Sequence, residues 1–227
     1  MKLVIFDCDG TIVDSQNAIV VAMTHAFTTL GLAPPTRART LSVVGLSLPE
    51  AFQVLAPALP AATREKLAHH YRDGAQSARI KGAGEDPLFP GAAETIAALG
   101  RRDDIVMGIA TGKSARGVTR LLDTYRWHAY FITQQTADNN PSKPNPAMIL
   151  KAIAETGADP AQTVMIGDTT YDIEMAVNAG VASIGVAWGY HPVTELQAAG
   201  AGAIVTRYDD LIAAIDTVLS DAGTRRR

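Results

Sequence analysis

The sequence predicts a doubly wound α/β fold, in which a parallel sheet carries an inserted all-helical cap domain. Two patterns favour this fold class. Short apolar segments alternate with helical patterns through the second half of the chain, and a long helical interval follows the first apolar segment. With 227 residues, of which 47% are hydrophobic, the chain can also bury a substantial core. We therefore expect one Rossmann-like core that is interrupted by one cap.

The predicted strands are short apolar runs, rich in β-branched residues and bounded by turn or acidic residues. They cover residues 3–6, 105–110, 130–133, 164–166, 183–187 and 203–205. Helical patterns lie between the later strands, at residues 114–125, 146–156, 171–179 and 209–219. Because parallel strands need long crossover connections, this alternation predicts a parallel sheet.

The interval between the first two predicted strands shows helical spacing and no strand pattern. Its helical stretches are residues 19–30, which Gly31 can terminate, 49–55 and 63–79. This interval is therefore predicted to be an all-helical insert.

Both ends of the insert lie close to the first strand along the chain. The Asp14–Ser15 pair can cap the first insert helix, and glycines and a proline within residues 82–87 suit a flexible exit. We expect residues 1–14 and 85–227 to form the core and residues 15–84 the cap. A cap in this position can close over the carboxyl ends of the strands, where open α/β sheets bind ligands.

Charge and cysteine content exclude several classes of function. The chain has 20 Lys and Arg against 23 Asp and Glu, a net charge of −3, so it has no basic surplus for nucleic acid. Its one cysteine, Cys8, allows no intrachain disulfide, which fits a reducing compartment. The apolar run at residues 3–6 is too short for a signal peptide or a membrane span. We expect a cytoplasmic monomer or weak homodimer with a small diffusible substrate and no nucleic-acid or membrane partner.

Two pairs of acidic residues follow predicted strands. Asp7 and Asp9 stand two residues apart where the first strand ends, so their side chains can point to one side. Asp168 and Asp172 follow the fourth strand with the spacing of one helical turn. An all-oxygen cluster of this kind suits Mg²⁺, which would also attract a phosphate group.

A hydroxyl and a lysine complete the pattern. Thr111 lies just past another predicted strand, where its hydroxyl and nearby backbone amides can hold phosphoryl oxygens, and Lys143 supplies a cation. Taken singly, each feature has an ordinary explanation as a helix cap, a turn residue or a solvated lysine. Together they fall at the carboxyl ends of separate predicted strands, which favours one shared site.

These segments resemble the four motifs of the haloacid-dehalogenase-like hydrolases. They are residues 7–11, 110–114, 142–146 and 167–172. The resemblance spans nearly the whole chain and is greatest to the phosphoglycolate phosphatase-like branch, whose helical cap is inserted after the first motif. It implies a Mg²⁺-dependent phosphomonoester hydrolase that acts on small phosphorylated metabolites, such as 2-phosphoglycolate or sugar phosphates, through a phosphoaspartyl intermediate.

The resemblance also implies a role for each matching residue. Asp7 would be the nucleophile and Asp9 the general acid and base, with Thr111 and Lys143 completing the catalytic set. The residues implied to bind the phosphoryl group are Gly10, Thr11, Thr111, Gly112 and Lys143. The implied Mg²⁺ ligands are Asp7, Asp168 and the Asp9 carbonyl, while Asp172 would lie beside the metal or fix Lys143.

Two other functions remain open. A phosphomutase of the same fold would use the same core motifs, and, more distantly, a regulatory phosphoacceptor module also combines aspartates, Mg²⁺, a hydroxyl and a lysine. Such modules are much shorter and lack a cap. Dehalogenation is disfavoured, because a departing halide needs no proton from Asp9. Specificity is expected from the cap, and Gly45 in the loop of residues 44–48 can let that loop approach the site.

Overall fold

A computed structural model describes residues 1–80 and 87–224 of the chain. Its strands are β1 Lys2–Phe6, β2 Ile105–Thr111, β3 Phe131–Thr136, β4 Thr163–Gly167, β5 Ala182–Val186 and β6 Ala203–Val205. They form one six-stranded sheet in the order β3-β2-β1-β4-β5-β6. Every neighbouring pair is parallel. The predicted parallel α/β fold is therefore confirmed.

The helices of the described residues fall into two groups. The first group follows β1 directly and consists of α1 Gln16–Thr29, α2 Arg37–Leu41, α3 Leu48–Leu55 and α4 Ala61–Ile80. The others are α5 Ala92–Leu99, α6 Ala115–Tyr125, α7 Ala147–Thr156, α8 Thr170–Ala179, α9 Val193–Ala198 and α10 Leu211–Thr224. Short 3-10 turns occupy Pro160–Gln162 and Tyr208–Asp210. The sequence patterns missed α2, α5 and α9, which are short and hold few apolar positions to show a period, although α3, also of eight residues, was predicted.

Side chains of β1 alternate between two buried clusters. Val4 and Phe6 pack with residues of α5, α6 and α10, whereas Leu3 and Ile5 pack with residues of α7 and α8. All four are fully buried, and burying a side chain of this size contributes roughly 1.5–3 kcal/mol. Helices therefore cover both faces of the sheet, as expected for a doubly wound core.

Between β1 and α5, helices α1, α3 and α4 form a third buried cluster. Met23 and Phe27 of α1 pack with Phe52 of α3 and Leu67 of α4. The described residues of this interval contain no strand, as expected for a helical insert. The cap bounds of 15–84 stay a prediction, and residues 81–86, which include Gly82 and Gly84, lie outside the described residues.

The start of α1 differs from the expectation. Ser15 occupies the N-cap position, but its side chain makes no capping hydrogen bond. Its hydroxyl lies 3.1 Å from the phenol oxygen of Tyr190 instead. The predicted side-chain cap by Ser15 is therefore wrong, because a contact distant in sequence takes its hydroxyl.

Among the described residues, no helix combines the length and the hydropathy needed to span a bilayer.

Candidate active site

The residues singled out in the sequence meet at the carboxyl edge of the sheet. Asp7 and Asp168 follow the neighbouring strands β1 and β4, Thr111 ends β2, and Lys143 lies in the loop after β3. All four are buried, with 1% or less of each residue exposed. The site is therefore built on adjacent strand ends that the parallel sheet brings together.

Lys143 is enclosed between two carboxylates. Its Nζ lies 2.9 Å from Asp7 Oδ1 and 2.6 Å from Asp172 Oδ1. Burial would lower the pKa of the ammonium, but Asp172 and Asp7 outweigh burial and raise it. Lys143 therefore stays protonated, which suits a group that holds phosphoryl oxygens.

Asp172 is committed to its neighbours through both oxygens. While Oδ1 accepts from Lys143, Oδ2 accepts from the Thr169 backbone N–H at 3.0 Å and from its hydroxyl at 2.7 Å. The two residues form a capping box at the start of α8. Of the two roles that the sequence left open, this geometry favours fixing Lys143.

Asp7 is a buried acid, and Lys143 contacts only one of its two oxygens. Its Oδ2 is buried and has no hydrogen-bond partner in the described part of the chain. Burial raises its pKa to about 6, with Lys143 opposing the shift and Asp172 adding to it. The pKa of Asp168 is raised well above its ordinary value by burial, then by Asp172 and Asp7.

The acidic cluster fits a divalent cation. One oxygen from each of Asp7, Asp168 and Asp172 lies within 4.8 Å of the others. Buried carboxylates so close together repel one another and are costly to keep charged without a cation. Mg²⁺ prefers oxygen ligands, so the donor set and the unpartnered Asp7 Oδ2 both suit it.

The loop after β1 is held against Asp168. Gly10 has φ +87°, and a Cβ there would lie 2.2 Å from Asp168 Oδ2, so no other residue fits. The Thr11 hydroxyl donates to Asp168 Oδ1 at 2.9 Å, and the Tyr190 backbone N–H donates to Oδ2 at 2.8 Å. The Asp168 carboxylate is thus fixed from two sides.

The backbone amides of this loop differ from the expectation. The Gly10 N–H donates to the Val13 carbonyl at 2.9 Å, and the Thr11 N–H donates to the Cys8 carbonyl at 3.3 Å. Both amides are used within the turn itself. The prediction that they face the phosphate therefore finds no support in this geometry.

The end of β2 meets the predicted cap loop. A Cβ at Gly112 would lie 2.7 Å from the Gly45 carbonyl oxygen and 2.8 Å from that of Leu46. The Ser47 N–H also donates to the Ser142 hydroxyl, beside Lys143, at 2.8 Å. The loop of residues 44–48 therefore lies against the site, as the position of Gly45 indicated.

Asp9 pairs with a second lysine at the site. Its Oδ1 lies 2.5 Å from the Nζ of Lys113, and 14% of each side chain is exposed. Burial alone would raise the pKa of Asp9, but Lys113 and then Ser15 outweigh burial and lower it. The sequence motifs assign no role to Lys113, although its position two residues after Thr111 places it at the same sheet edge.

Two more aromatic residues support the loop after β1. The indole N–H of Trp188 and the hydroxyl of Tyr208 donate to the Thr11 carbonyl at 3.1 and 2.6 Å. No local sequence pattern identifies these contacts, because they join positions at least 177 residues apart.

The cap and the core also meet beside α8. The Tyr171 hydroxyl donates to the Ser42 carbonyl at 3.0 Å. A cavity of about 510 Å³ opens next to this contact, between Arg37 of α2 and Glu195 of α9, and Tyr190 lines it. Because Tyr190 also bonds Asp168 and Ser15, the cavity adjoins the site.

Comparisons with known proteins agree with this geometry. The family model of the haloacid dehalogenase-like hydrolases matches residues 4–186. A Dickeya dadantii protein named "Probable phosphatase IndB" is 36% identical over 222 residues, which cover 96% of this chain and 94% of that protein. A phosphoglycolate phosphatase of Agrobacterium fabrum is 33% identical over 206 residues, or 86% of this chain and 85% of that one.

A solved structure supports the fold. A hydrolase from Pseudomonas syringae superimposes with a TM-score of 0.83 at 24% identity, covering 96% of this chain and 99% of that one. The chain therefore belongs to the haloacid dehalogenase-like hydrolases, as one of the phosphatases of that family.

Proposed function

We propose that this phosphatase is a Mg²⁺-dependent phosphomonoester hydrolase that acts on small phosphorylated metabolites through a phosphoaspartyl intermediate on Asp7. The observation that carries the proposal is the buried Asp7 carboxylate, with one oxygen near Lys143 and the other without a partner in the described part of the chain. The relative named phosphoglycolate phosphatase supports 2-phosphoglycolate as a candidate substrate.

The chain's own residues supply most of the proposed chemistry. The Asp7 carboxylate attacks phosphorus in line, forming an acyl phosphate as the bond to the leaving oxygen breaks. Lys143 offsets the repulsion between the carboxylate and the phosphoryl oxygens, and Thr111 donates to one of those oxygens. Lys143 is already in place, since it contacts Asp7 in this structure.

Asp9 serves both halves of the proposed reaction. As an acid it gives a proton to the leaving alkoxide, and as a base it takes a proton from the water that attacks the acyl phosphate. Free phosphate leaves and the Asp7 carboxylate is restored. One carboxyl group can do both, because the first step leaves it in the protonation state that the second step needs.

The proposed Mg²⁺ ligands are the carboxylates of Asp7 and Asp168 and the carbonyl of Asp9. When bound, the cation neutralises charge on the phosphate and orients it toward the nucleophile. Asp172 is proposed to fix Lys143, since its Oδ1 accepts from the Lys143 ammonium at 2.6 Å.

An aryl-phosphate assay with Mg²⁺ and with EDTA tests the proposal. We expect many phosphates released per chain, only with Mg²⁺, and none from an Asp7→Asn variant of equal helical content. A folded, metal-loaded sample that hydrolyses no phosphate ester would end the proposal.

The same assay separates the two alternatives. Turnover that requires a sugar bisphosphate primer would identify a phosphomutase instead. One stable phosphate per chain, without turnover, would identify a regulatory phosphoacceptor. A cytoplasmic location and a monomeric or weakly dimeric state stay predictions.

A further inference from the structure

Lys113 brings a second ammonium group to the site, on the side of Asp9. Its Nζ lies 2.5 Å from Asp9 Oδ1. The roles assigned above to nucleophile, acid, phosphoryl binding and metal binding leave Lys113 unused. A lysine in such a place needs an explanation, because a partly buried ammonium is costly unless a specific interaction offsets its lost hydration.

The local structure holds Lys113 in this position. The Ser114 hydroxyl accepts from the Gly117 N–H at 3.2 Å and caps α6, which begins directly after it. The lysine stem runs over Gly117, where a Cβ would lie 2.7 Å from Lys113 Cγ. The turn and the missing side chain at residue 117 therefore direct the ammonium toward Asp9.

The distance to Asp9 limits where a leaving group can lie. A general acid must come within about 2.6–3.2 Å of the oxygen that it protonates. Because Lys113 Nζ is 2.5 Å from Asp9 Oδ1, it lies within about 6 Å of a leaving-group oxygen that Oδ1 protonates, and within about 8 Å of one that Oδ2 protonates. A carboxylate one carbon beyond the ester oxygen can extend from there toward Lys113 and pair with it.

Lys113 can serve Asp9 and a substrate together. An ammonium group carries three N–H donors, so it can donate to two acceptors at once. With 14% of its side chain exposed, Lys113 is more accessible than Lys143, whose side chain is fully buried between Asp7 and Asp172. It is therefore the better placed of the two for the variable part of a substrate.

We propose that Lys113 is a specificity-determining residue that binds an anionic substituent of the leaving group. The preferred substrates are then phosphate monoesters of short hydroxy acids, rather than esters of neutral alcohols. This inference rests on the proposed function and extends it by assigning the charge selection to one residue.

Two substrates matched in length test the inference. 2-Phosphoglycolate carries the anionic group, and 2-hydroxyethyl phosphate replaces it with a neutral hydroxyl. We expect Lys113→Met to lower kcat/KM for 2-phosphoglycolate at least about 10-fold more than for the neutral ester, because one charge-assisted hydrogen bond is lost. Lys113→Arg should keep part of the preference. Lys151→Met, on the exposed face of α7, is the matched control and should change neither value.

A binding measurement adds a readout that does not depend on turnover. In an Asp7→Asn background, Lys113→Met should weaken the Kd for 2-phosphoglycolate, measured by calorimetry, and leave the Kd for the neutral ester nearly unchanged. Equal losses for both esters would overturn the inference, since Lys113 would then act only through Asp9. So would a wild-type enzyme that hydrolyses both esters equally well, although the proposed function would stand. Failure of the wild type to hydrolyse any ester would overturn both.

Discussion

Lys143 and Lys113 stand at the same sheet edge, yet their surroundings differ. Lys143 is fully buried between two carboxylates, whereas Lys113 contacts Asp9 with 14% of its side chain exposed. A buried ammonium with two anionic neighbours is held in one place, which suits the phosphoryl group that every substrate shares. A more exposed ammonium can meet the part that varies between substrates. Within one site, the fully buried lysine therefore suits the chemistry common to all substrates, and the more exposed lysine suits selectivity.

Asp9→Asn should give the largest effect, and it separates the loss of acid–base catalysis from the loss of charge selection by Lys113. The variant keeps the shape of Asp9 but removes the group that gives and takes the proton, so kcat should fall about 10²–10⁴-fold. The loss should be similar for the anionic and the neutral ester, unlike the loss from Lys113→Met. Steady-state kinetics with both esters measures it, with Asp14→Asn as a control outside the site. Near-normal turnover by Asp9→Asn would refute the acid–base role.

Lys143→Met should lower kcat/KM about 10²–10³-fold for every ester, because a preorganised charge at the phosphoryl group is lost. The variant also leaves Asp7 and Asp172 without their cation, so the metal-free protein should lose about 3–5 kcal/mol of unfolding free energy. Kinetics and urea unfolding measure the two effects. A loss confined to the anionic ester would break the distinction between the two lysines.

Gly112→Ala tests whether the cap loop must lie against the end of β2. The added methyl would meet the carbonyl oxygens of Gly45 and Leu46 at 2.7 and 2.8 Å, so the loop must move. Overpacking of this kind should lower the free energy of unfolding by about 1–3 kcal/mol. If the reaction needs the loop of residues 44–48 against the end of β2, we expect kcat/KM to fall about 10-fold. A variant with unchanged kinetics and unchanged Tm would show that the contact is dispensable.

The smallest effect is expected for Asp216, an exposed carboxylate outside the site. Asp216 pairs with Arg102 at 2.9 Å, and 42% of its side chain is exposed. Its hydrogen bond to Arg102 lowers its pKa. A carboxylate whose pKa is lowered by folding stabilises the folded protein at pH values above the pKa of the unfolded chain. That stabilisation is lost as the pH falls through the pKa of the folded state.

Asp216→Asn should therefore cost at most about 1 kcal/mol at pH 7, since solvent screens the pair. The difference from wild type should shrink as the pH falls below about 4. Urea unfolding at pH 7 and pH 3 measures it, with Asp103→Asn as a surface control. A difference that grows toward low pH would contradict the assigned sign.

Sequence patterns predicted the sheet well, because most of its strands are buried and appear as continuous apolar runs, whereas β3 alternates in exposure and ends in polar residues. All six predicted strands occur, with ends that shift by no more than three residues. The sequence also predicted that Asp7, Thr111, Lys143 and Asp168 lie close together, because residues just past parallel strands share one edge of the sheet. Among the short helices α3 was predicted, but α2, α5 and α9 were not, because one or two turns carry little periodic signal.

Local sequence patterns were enough to predict the parallel α/β core, the helical insert and the edge at which the acidic residues meet. The partners of individual side chains and amides follow only from the folded protein: Asp9 pairs with Lys113, the Ser15 hydroxyl contacts Tyr190, and the Gly10 and Thr11 amides donate within their own turn. Strand order follows from local pattern and chain connectivity. Side-chain partners depend on distances of a few tenths of an ångström between segments far apart in the chain, and no local pattern encodes such distances.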